Sequence, residues 1–506
     1  MRAMVVKGSY RKLWTGGALL ASLICLASVL AFGCSSTGVS QEEGAEAAST
    51  QPNIIFVLTD DLDYASAQQM PQLRSLLVEE GASFENAFVD YSVCCPSRAT
   101  ILTGLYTHNH DVTDNVPPDG GFEKFFSEGL EENTIAVHLQ EGDYRTAFFG
   151  KYLNGYPADD PTHVPPGWNE WYGKLRGQEL YRYRINENGR LVSYGNRTED
   201  FYTDVLSKQA IDYLKRAALD SRPFFMYVAP TAPHVPATPA ERHKGTYAEE
   251  QAPHPPSFDE EDVSDKPSWI KEQKRFSKEQ VSDIDDKYRE RLESMLAVDE
   301  MIASLVQELE AAGKLDDTYI FFTSDNGMSL GEHRRRSGKR LPYEELAHVP
   351  LFVRGPGLAA GSKIEKLTLN TDFAPTFADI AGTRFRADGR SLLPLFSNEE
   401  SPSWRAAVLL EGFPQAEGDE EGDNEGGRGS DRTVLSPAYG AIRTDSYKYV
   451  EYDNGEKELY DLEADSYELD NVYEGVDPSL LEDLEAKLGA LRGCSDEGCR
   501  EAEDAS

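Results

Sequence analysis

Four short runs are apolar at successive positions: Ile54 to Leu58, Thr146 to Phe149, Phe224 to Val228, and Tyr319 to Thr323. Each is rich in β-branched or aromatic residues, the pattern of strands buried on both faces of a parallel sheet. Pro350 to Val353 reads as a fifth. The clearest helical period runs from Arg289 to Ala312, where Leu292, Met295, Leu296, Ile302, Leu305, Val306 and Leu309 share one stripe and Gly313 supplies a stop. Strands alternating with helices predict an α/β fold, a large mixed, mostly parallel sheet flanked by helices. Residues 239–287 break the alternation with a polar, Pro-rich, charged insertion, expected to cover the sheet edge or the mouth of a site. Further on, Tyr439 to Arg443, Lys448 to Tyr452 and Glu458 to Leu462 alternate apolar and polar around the turn signal Asp453-Asn454-Gly455. With a closing helix from Ser479 to Leu491, they predict a smaller antiparallel sheet plus helix.

These patterns divide the chain. Residues 1–33 read as an export signal, because Arg2, Lys7, Arg11 and Lys12 precede an apolar run from Trp14 to Phe32. Gly33-Cys34 follows it. A small residue before Cys and a Ser/Thr/Gly/Glu-rich spacer after it resemble a bacterial lipoprotein cleavage box, which would make Cys34 the lipid-bearing residue. Ala31 and Leu30 depart from the usual box, so plain cleavage or an uncleaved anchor stands beside lipidation. Residues 34–51 read as a flexible tether, 52–400 as the main domain, and 401–492 as a C-terminal α+β subdomain containing a mobile acidic loop at 412–432. Residues 493–506 form a tail in which Cys494 and Cys499 could close a small disulfide loop. The expected location is outside the cytoplasm, secreted or lipid-anchored at the cell surface.

Charge narrows the partners. The formal net charge is -38, from 50 Lys and Arg against 88 Asp and Glu; without residues 1–33 it becomes about -42. Such a surface repels polyanions at long range and excludes nucleic acid as a partner class. An anionic substrate would need cations gathered locally at its site. Cys94 and Cys95 are adjacent, which suits neither an ordinary disulfide nor a complete zinc site.

Polar groups gather just past each apolar run: Thr59-Asp60-Asp61, Gly150-Lys151, Pro230 to His234, and Ser324-Asp325-Asn326-Gly327. In open parallel sheets, the loops leaving the carboxyl edge converge on a ligand crevice. Asp60, Asp61, Asp325 and Asn326 offer only hard oxygen donors, which suit calcium, with magnesium second, better than zinc or copper. Either acidic pair alone would equally suit a helix cap or a turn; two pairs at equivalent strand ends favour a metal.

The segment Cys94-Cys95-Pro96-Ser97-Arg98-Ala99-Thr100-Ile101-Leu102-Thr103-Gly104 resembles the signature of type I sulfatases, enzymes of the alkaline-phosphatase-like superfamily. The resemblance extends over most of residues 52–475. It takes in Asp60-Asp61, Gly150-Lys151, Ala232-Pro233-His234, Ser324-Asp325-Asn326-Gly327, Lys339 with Tyr343-Glu344, and Leu459-Tyr460-Asp461-Leu462. It implies that Cys94 is oxidised to formylglycine by a separate maturation enzyme and that Asp60, Asp61, Cys94, Asp325 and Asn326 hold calcium. It also implies that Arg98, Lys151, His234 and Lys339 serve catalysis. A hydrated aldehyde carries two hydroxyls on one carbon, so one can attack sulfur while the other later expels sulfate. His333, in Gly331-Glu332-His333, and His110, after the signature helix, are candidate substrate contacts. Leu153 stands where many arylsulfatases carry a second site histidine. The run Gly150-Lys151-Tyr152-Leu153-Asn154 instead resembles the branch acting on N-acetylglucosamine 6-sulfate and heparan sulfate.

The expected substrate is therefore a sulfated glycan or small sulfate ester. Two rivals remain. One is a phosphate or phosphonate monoester hydrolase of the same superfamily, which the lack of a His and thiol ligand cluster disfavours. The other is a surface glycan-binding protein without catalysis, the outcome if Cys94 is never oxidised.

Overall fold

The computed structural model describes residues 51–177, 179–397, 403–414 and 436–505. The export signal, the tether with Cys34 up to residue 50, and the acidic loop from residue 415 to 432 lie outside the described residues. Among the described residues, no helix is long and apolar enough to cross a membrane.

The described residues form sixteen strands: β1 (Asn53–Thr59), β2 (Ala82–Phe84), β3 (Ala87–Phe88), β4 (Arg145–Gly150), β5 (Glu170–Lys174), β6 (Arg184–Glu187), β7 (Arg190–Ser193), β8 (Phe224–Ala229), β9 (Thr318–Ser324), β10 (Leu351–Arg354), β11 (Ser362–Ile364), β12 (Thr368–Leu369), β13 (Ala407–Gly412), β14 (Tyr439–Thr444), β15 (Tyr447–Tyr452) and β16 (Lys457–Asp461). Ten make one sheet in the order β11-β2-β10-β9-β1-β8-β4-β5-β6-β7. Its five central strands, β9 through β5, are parallel. β10 runs antiparallel to β9, and β6 antiparallel to β5, so the sheet is mixed at both flanks.

The continuous apolar runs have a direct cause, since both faces of the sheet are covered. Ile54, Phe56 and Leu58 point into one core with Phe148, Tyr227, Phe373 and Phe377. Ile55 and Val57 point into the other with Phe149, Met226, Leu206, Val298 and Leu305. The helix Tyr202–Ala217 and the helix Lys278–Ala311 close this second face.

The long helix starts eleven residues before the sequence period suggested, inside the segment read as an irregular insertion. Ser277 and Gln280 form a capping box, with the Ser277 hydroxyl accepting from the Gln280 amide and the Gln280 side chain from the Ser277 amide. Of this first part Ile284 and Tyr288 join a small hydrophobic cluster, with Ala252, Leu292, Met328 and Leu330, so its hydrophobic signal is thin. At the other end Gly313 adopts φ +63°, and the Lys314 amide bonds back to the Leu309 carbonyl, a glycine-terminated helix stop.

β13 to β16 make a separate antiparallel sheet in sequential order, one face packed by Leu484, Leu488 and Leu491 of the helix Pro478–Leu491. β13, buried along its whole length, is a strand that the sequence reading did not find. Cys494 and Cys499 are disulfide-bonded.

His108 ties this region to the loop after the signature helix. Its Nδ1 lies 2.9 Å from Glu411 Oε1 and its Nε2 3.1 Å from the Cys494 carbonyl. Both neighbours only accept hydrogen bonds, so the arrangement calls for a doubly protonated ring. Burial alone would lower the His108 pKa, but Glu411 and the Cys494 carbonyl raise it to about 9. Because this lies above the ordinary 6.5, the contribution is complete below pH 6.5 and lost as pH rises through about 9. The expected size is about 2 kcal/mol. Melting temperatures of the parent and His108→Gln across pH 6 to 10 check this: the parent should lose more stability over that range, and parallel curves would contradict it.

Candidate active site

The carboxyl ends of β1, β4, β8 and β9 converge, and the signature segment docks against them as the helix Cys94–Thr103. Val93 is extended, Cys94 is the first helical residue, and Pro96 falls in the first turn, where a missing N–H leaves no helical bond unmade. Gly104 ends the helix with φ +67°. The Cys95 amide donates to Asn115 Oδ1 at 2.9 Å, fixing the entry of the chain. Asn370 Nδ2 donates to Asp90 Oδ1 at 2.9 Å and to Ser97 Oγ at 3.1 Å, bracing the helix from behind. Cys94 therefore sits at the positive end of a helix whose ten residues are all buried.

Around Cys94 the charged groups interlock. Its Sγ is 3.4 Å from Asp60 Oδ1, 3.5 Å from Asp61 Oδ1 and 3.1 Å from Lys339 Nζ. Lys151 Nζ pairs with Asp60 Oδ2 at 2.7 Å, and Lys339 Nζ with Asp61 Oδ1 at 2.7 Å. One helical turn after Cys94, Arg98 donates from Nε to Asp325 Oδ2 at 2.7 Å and from Nη1 to the Lys151 carbonyl at 2.8 Å. Asp325 Oδ1 in turn accepts from the Asp61 amide at 3.0 Å, and Asn326 Nδ2 donates to Asp61 Oδ1 at 2.8 Å. Asp61 takes φ +68°, which turns the chain so that its carboxylate faces Cys94.

Burial is the largest single influence on these carboxylates and on Cys94, but neighbouring cations reverse it at Asp60 and Asp61. It pushes the Asp60 carboxyl up, yet Lys151, His234, Arg98 and Lys339 together hold it well below the usual range. Asp61 is likewise lowered, with Lys339 as the strongest counter to burial. Asp325 moves the other way, to about 6, because burial, Asp60 and Asp61 outweigh Arg98. The Cys94 thiol is pushed well up by burial despite both lysines. An unmodified Cys94 is thus a thiol, a poor nucleophile near neutral pH.

His234 lies 3.7 Å from Asp61 Oδ2 through Nε2, while its Nδ1 donates to the Val235 carbonyl at 2.6 Å. The structure thus brings eight of the sequence-derived site residues around Cys94. His110 and His333 sit differently. His110 is buried, bonded through Nε2 to Thr100 Oγ1 at 3.0 Å and through Nδ1 to the Val112 amide at 3.1 Å. His333 is buried against Glu260 at 2.8 Å and stacks on Tyr343. Neither lines the open cavity of about 370 Å³ that Lys151, Tyr152, Asn154 and Thr231 border.

Sequence reasoning missed Arg291. This buried side chain of the long helix donates to the carbonyls of Asp61 and Pro233 and pairs with Asp63 at 3.3 Å, so one guanidinium fixes the β1 and β8 loops together. The only signal was an arginine next to Leu292 within an apolar stripe.

The donor set fits a hard divalent cation. Asp61 Oδ2 and Asn326 Oδ1 are buried oxygens that accept no hydrogen bond among the described residues, and ligand atoms of Asp60, Asp61, Cys94 and His234 all lie within 4.8 Å of one another. Oxygen donors left without a proton partner in a dry site are the counterpart of an ion.

Comparison with known proteins shows the family of the chain. The sulfatase family profile matches residues 52–383. An N-acetylglucosamine-6-sulfatase of Capra hircus is 35% identical over 494 residues, covering 90% of this chain and 86% of its own. A solved structure in complex with its substrate D-glucosamine-2-N,6-O-disulfate superposes with TM-score 0.73 at 26% identity, covering 90% of this chain and all of that one. The phosphonate monoester hydrolase of Agrobacterium radiobacter, at 23% identity and TM-score 0.66 over 87% of this chain and 95% of its own, shares the fold. With the family profile spanning the strands that carry Asp60, Lys151, His234 and Asp325, the chain belongs to the sulfatase family and is a sulfuric ester hydrolase.

Proposed function

We propose that the protein is an exported, calcium-dependent sulfatase that releases the 6-O-sulfate of N-acetylglucosamine-type sugars through a formylglycine made from Cys94. The observation that carries this is the placement of Cys94 at a buried helix N-terminus, within 3.1 to 3.5 Å of Lys339, Asp60 and Asp61. The similarity to an N-acetylglucosamine-6-sulfatase over 90% of the chain supports the sugar. A formylglycine-generating enzyme is the maturation partner, and Cys34 is the candidate lipid attachment site if the protein is held at the cell surface.

Asp60, Asp61, Asp325 and Asn326, with the oxygen that replaces the Cys94 sulfur, would hold the cation. When bound, it neutralises a sulfate oxygen and lowers the pKa of a neighbouring hydroxyl. Lys151 and Lys339 present ammonium groups to the remaining sulfate oxygens as charge shifts off sulfur. Arg98 anchors the base of the site through Asp325 and the Lys151 carbonyl, so the nucleophile and its cations keep one geometry.

In the hydrated form one hydroxyl of residue 94 gives its proton to solvent and attacks sulfur as an oxyanion, and the bond from sulfur to the sugar oxygen breaks. His234, whose Nδ1 proton is committed to the Val235 carbonyl, delivers a proton from Nε2 to the departing sugar oxygen. The second hydroxyl of residue 94 then returns a proton to His234 Nε2, the carbon to sulfate-oxygen bond breaks, and the aldehyde is restored as sulfate leaves. Water has no need to attack the sulfate ester of the enzyme.

Sulfate release from N-acetylglucosamine 6-sulfate tests this reading, with phenyl phosphonate monoester as the competing substrate. Turnover of the sulfate ester with kcat/KM at least about tenfold higher is expected. Preference for the phosphonate would assign the chain to the other activity of the shared fold.

A further inference from the structure

A second group of metal donors shares no residue with the Cys94 site. It forms where the loop leading to Lys339, the short helix Glu344–Ala347 and the segment after β16 come together. His333 is 1% exposed, its backbone at φ +49° and its amide donating to the Ser257 carbonyl at 2.8 Å. The ring stacks on Tyr343 with centroids 4.2 Å apart, and Nδ1 is 2.8 Å from Glu260 Oε2, which fixes where Nε2 points. Nε2 makes no hydrogen bond among the described residues; it lies 3.8 Å from Glu345 Oε1. Glu468 completes the group, since ligand atoms of His333, Glu345 and Glu468 all lie within 4.8 Å of one another.

A ligating histidine gives its other N–H to a carboxylate, which sets the tautomer and the ring direction. Glu260 is placed to accept that proton and is itself held by Lys266 at 3.2 Å. Burial alone would lower the His333 pKa, and Glu260 and Glu345 raise it; the carboxylates that favour a proton on Nε2 favour a metal cation there as well. Burial, with Glu332 and Glu468, pushes the Glu345 carboxyl up to about 8 against the pull of His333, so a cation among these groups relieves a repulsion. Glu468 keeps its own partners, Lys448 at 2.8 Å from Oε1 and the Glu344 amide at 2.8 Å from Oε2. Lys448 is shared with Glu344 at 2.8 Å, and a carboxylate has about four lone-pair sites, so Glu468 can ligate without releasing either. Glu345 and Glu468 border a cavity of about 530 Å³ lined also by Tyr64, His254 and the half-exposed Tyr467, which gives the ion a path and a water a place as fourth ligand. Tetrahedral ligands about 2.1 Å from zinc stand about 3.4 Å apart, so the two glutamates need to close on His333 by only about 1 Å.

We propose that His333, Glu345 and Glu468 form a second metal site, for zinc, which ties the Lys339 loop to the C-terminal sheet. One imidazole with two carboxylates suits zinc, whereas the oxygen donors of Asp60, Asp61, Asp325 and Asn326 suit calcium. The site stands whether or not Cys94 becomes formylglycine, because none of its donors takes part in that chemistry.

The test is calorimetric titration of the calcium-saturated protein with zinc, on the parent, His333→Gln, Glu345→Gln and Asp325→Ala. The parent should bind one zinc per chain and melt at a higher temperature with it. His333→Gln and Glu345→Gln should each weaken binding about 100-fold, while Asp325→Ala, altered only at the calcium site, should bind zinc as the parent does. Anomalous diffraction at the zinc edge from the parent needs no variant and should place a peak between His333 Nε2 and the carboxylates of Glu345 and Glu468. Zinc bound equally by the parent, His333→Gln and Glu345→Gln is adventitious and overturns the site. No binding to the calcium-saturated parent, loss of zinc in Asp325→Ala alone, or a peak only elsewhere overturns it too.

Discussion

Cys94→Ala should abolish sulfate release, lowering kcat by at least about 10⁴-fold while the fold remains. The expectation follows from what surrounds the side chain. Lys151, Lys339 and Arg98 are all committed to Asp60, Asp61 or Asp325, and none of those pairs runs through the sulfur. Removing one buried sulfur leaves a small void at a helix start, a cost of about 1 kcal/mol or less beside a domain of this size. The cations that bind sulfate would survive, so Cys94→Ala should still bind substrate while failing to turn it over. Sulfate release from aryl and glucosamine 6-sulfate substrates, with a melting curve as the control, reads both. Retained turnover would remove Cys94 from the reaction.

Asp325→Ala should act twice, on the ion and on Arg98. Asp325 holds the Arg98 guanidinium at 2.7 Å in a site where Arg98 is 1% exposed, so its loss leaves a buried charge short of its main partner. Breaking a buried pair from one side costs about 3–5 kcal/mol. The same carboxylate is one of four oxygen-bearing side chains facing the proposed cation. In the parent, calcium at 100 times its dissociation constant should raise stability by about 2.7 kcal/mol, and chelator should reverse it. In Asp325→Ala the calcium-dependent part should vanish, and activity with it. Thermal melts with and without calcium separate the two effects, because the Arg98 penalty is present in both. A calcium shift of parental size in the variant would rule Asp325 out as a ligand.

The strands were the most legible part of the chain. Covering both faces of a parallel sheet forces runs such as Ile54 to Leu58 to be apolar throughout, and the site follows because polar residues start where burial by the sheet ends. Asp60, Lys151 and Asp325 could be found that way without reference to any relative. The sequence period failed at two elements. The start of the long helix at Lys278 packs through only a few residues, and β13 has no exposed residue to mark its pairing. His110 and His333 show a different limit. Motif context could bring them near the signature helix and the Lys339 loop, but only the positions of Thr100, Val112, Glu260 and Tyr343 show what occupies their rings. Arg291 was hidden for the opposite reason, a cation inside an apolar stripe, readable as functional only once the Asp61 and Pro233 carbonyls appear beside it.

The identity of residue 94 in active protein carries the account. Mass spectrometry of the peptide spanning Cys94 to Arg98, from protein that releases sulfate, should show the aldehyde or its hydrate in place of the thiol. An unmodified cysteine throughout a preparation that retains full turnover would contradict it.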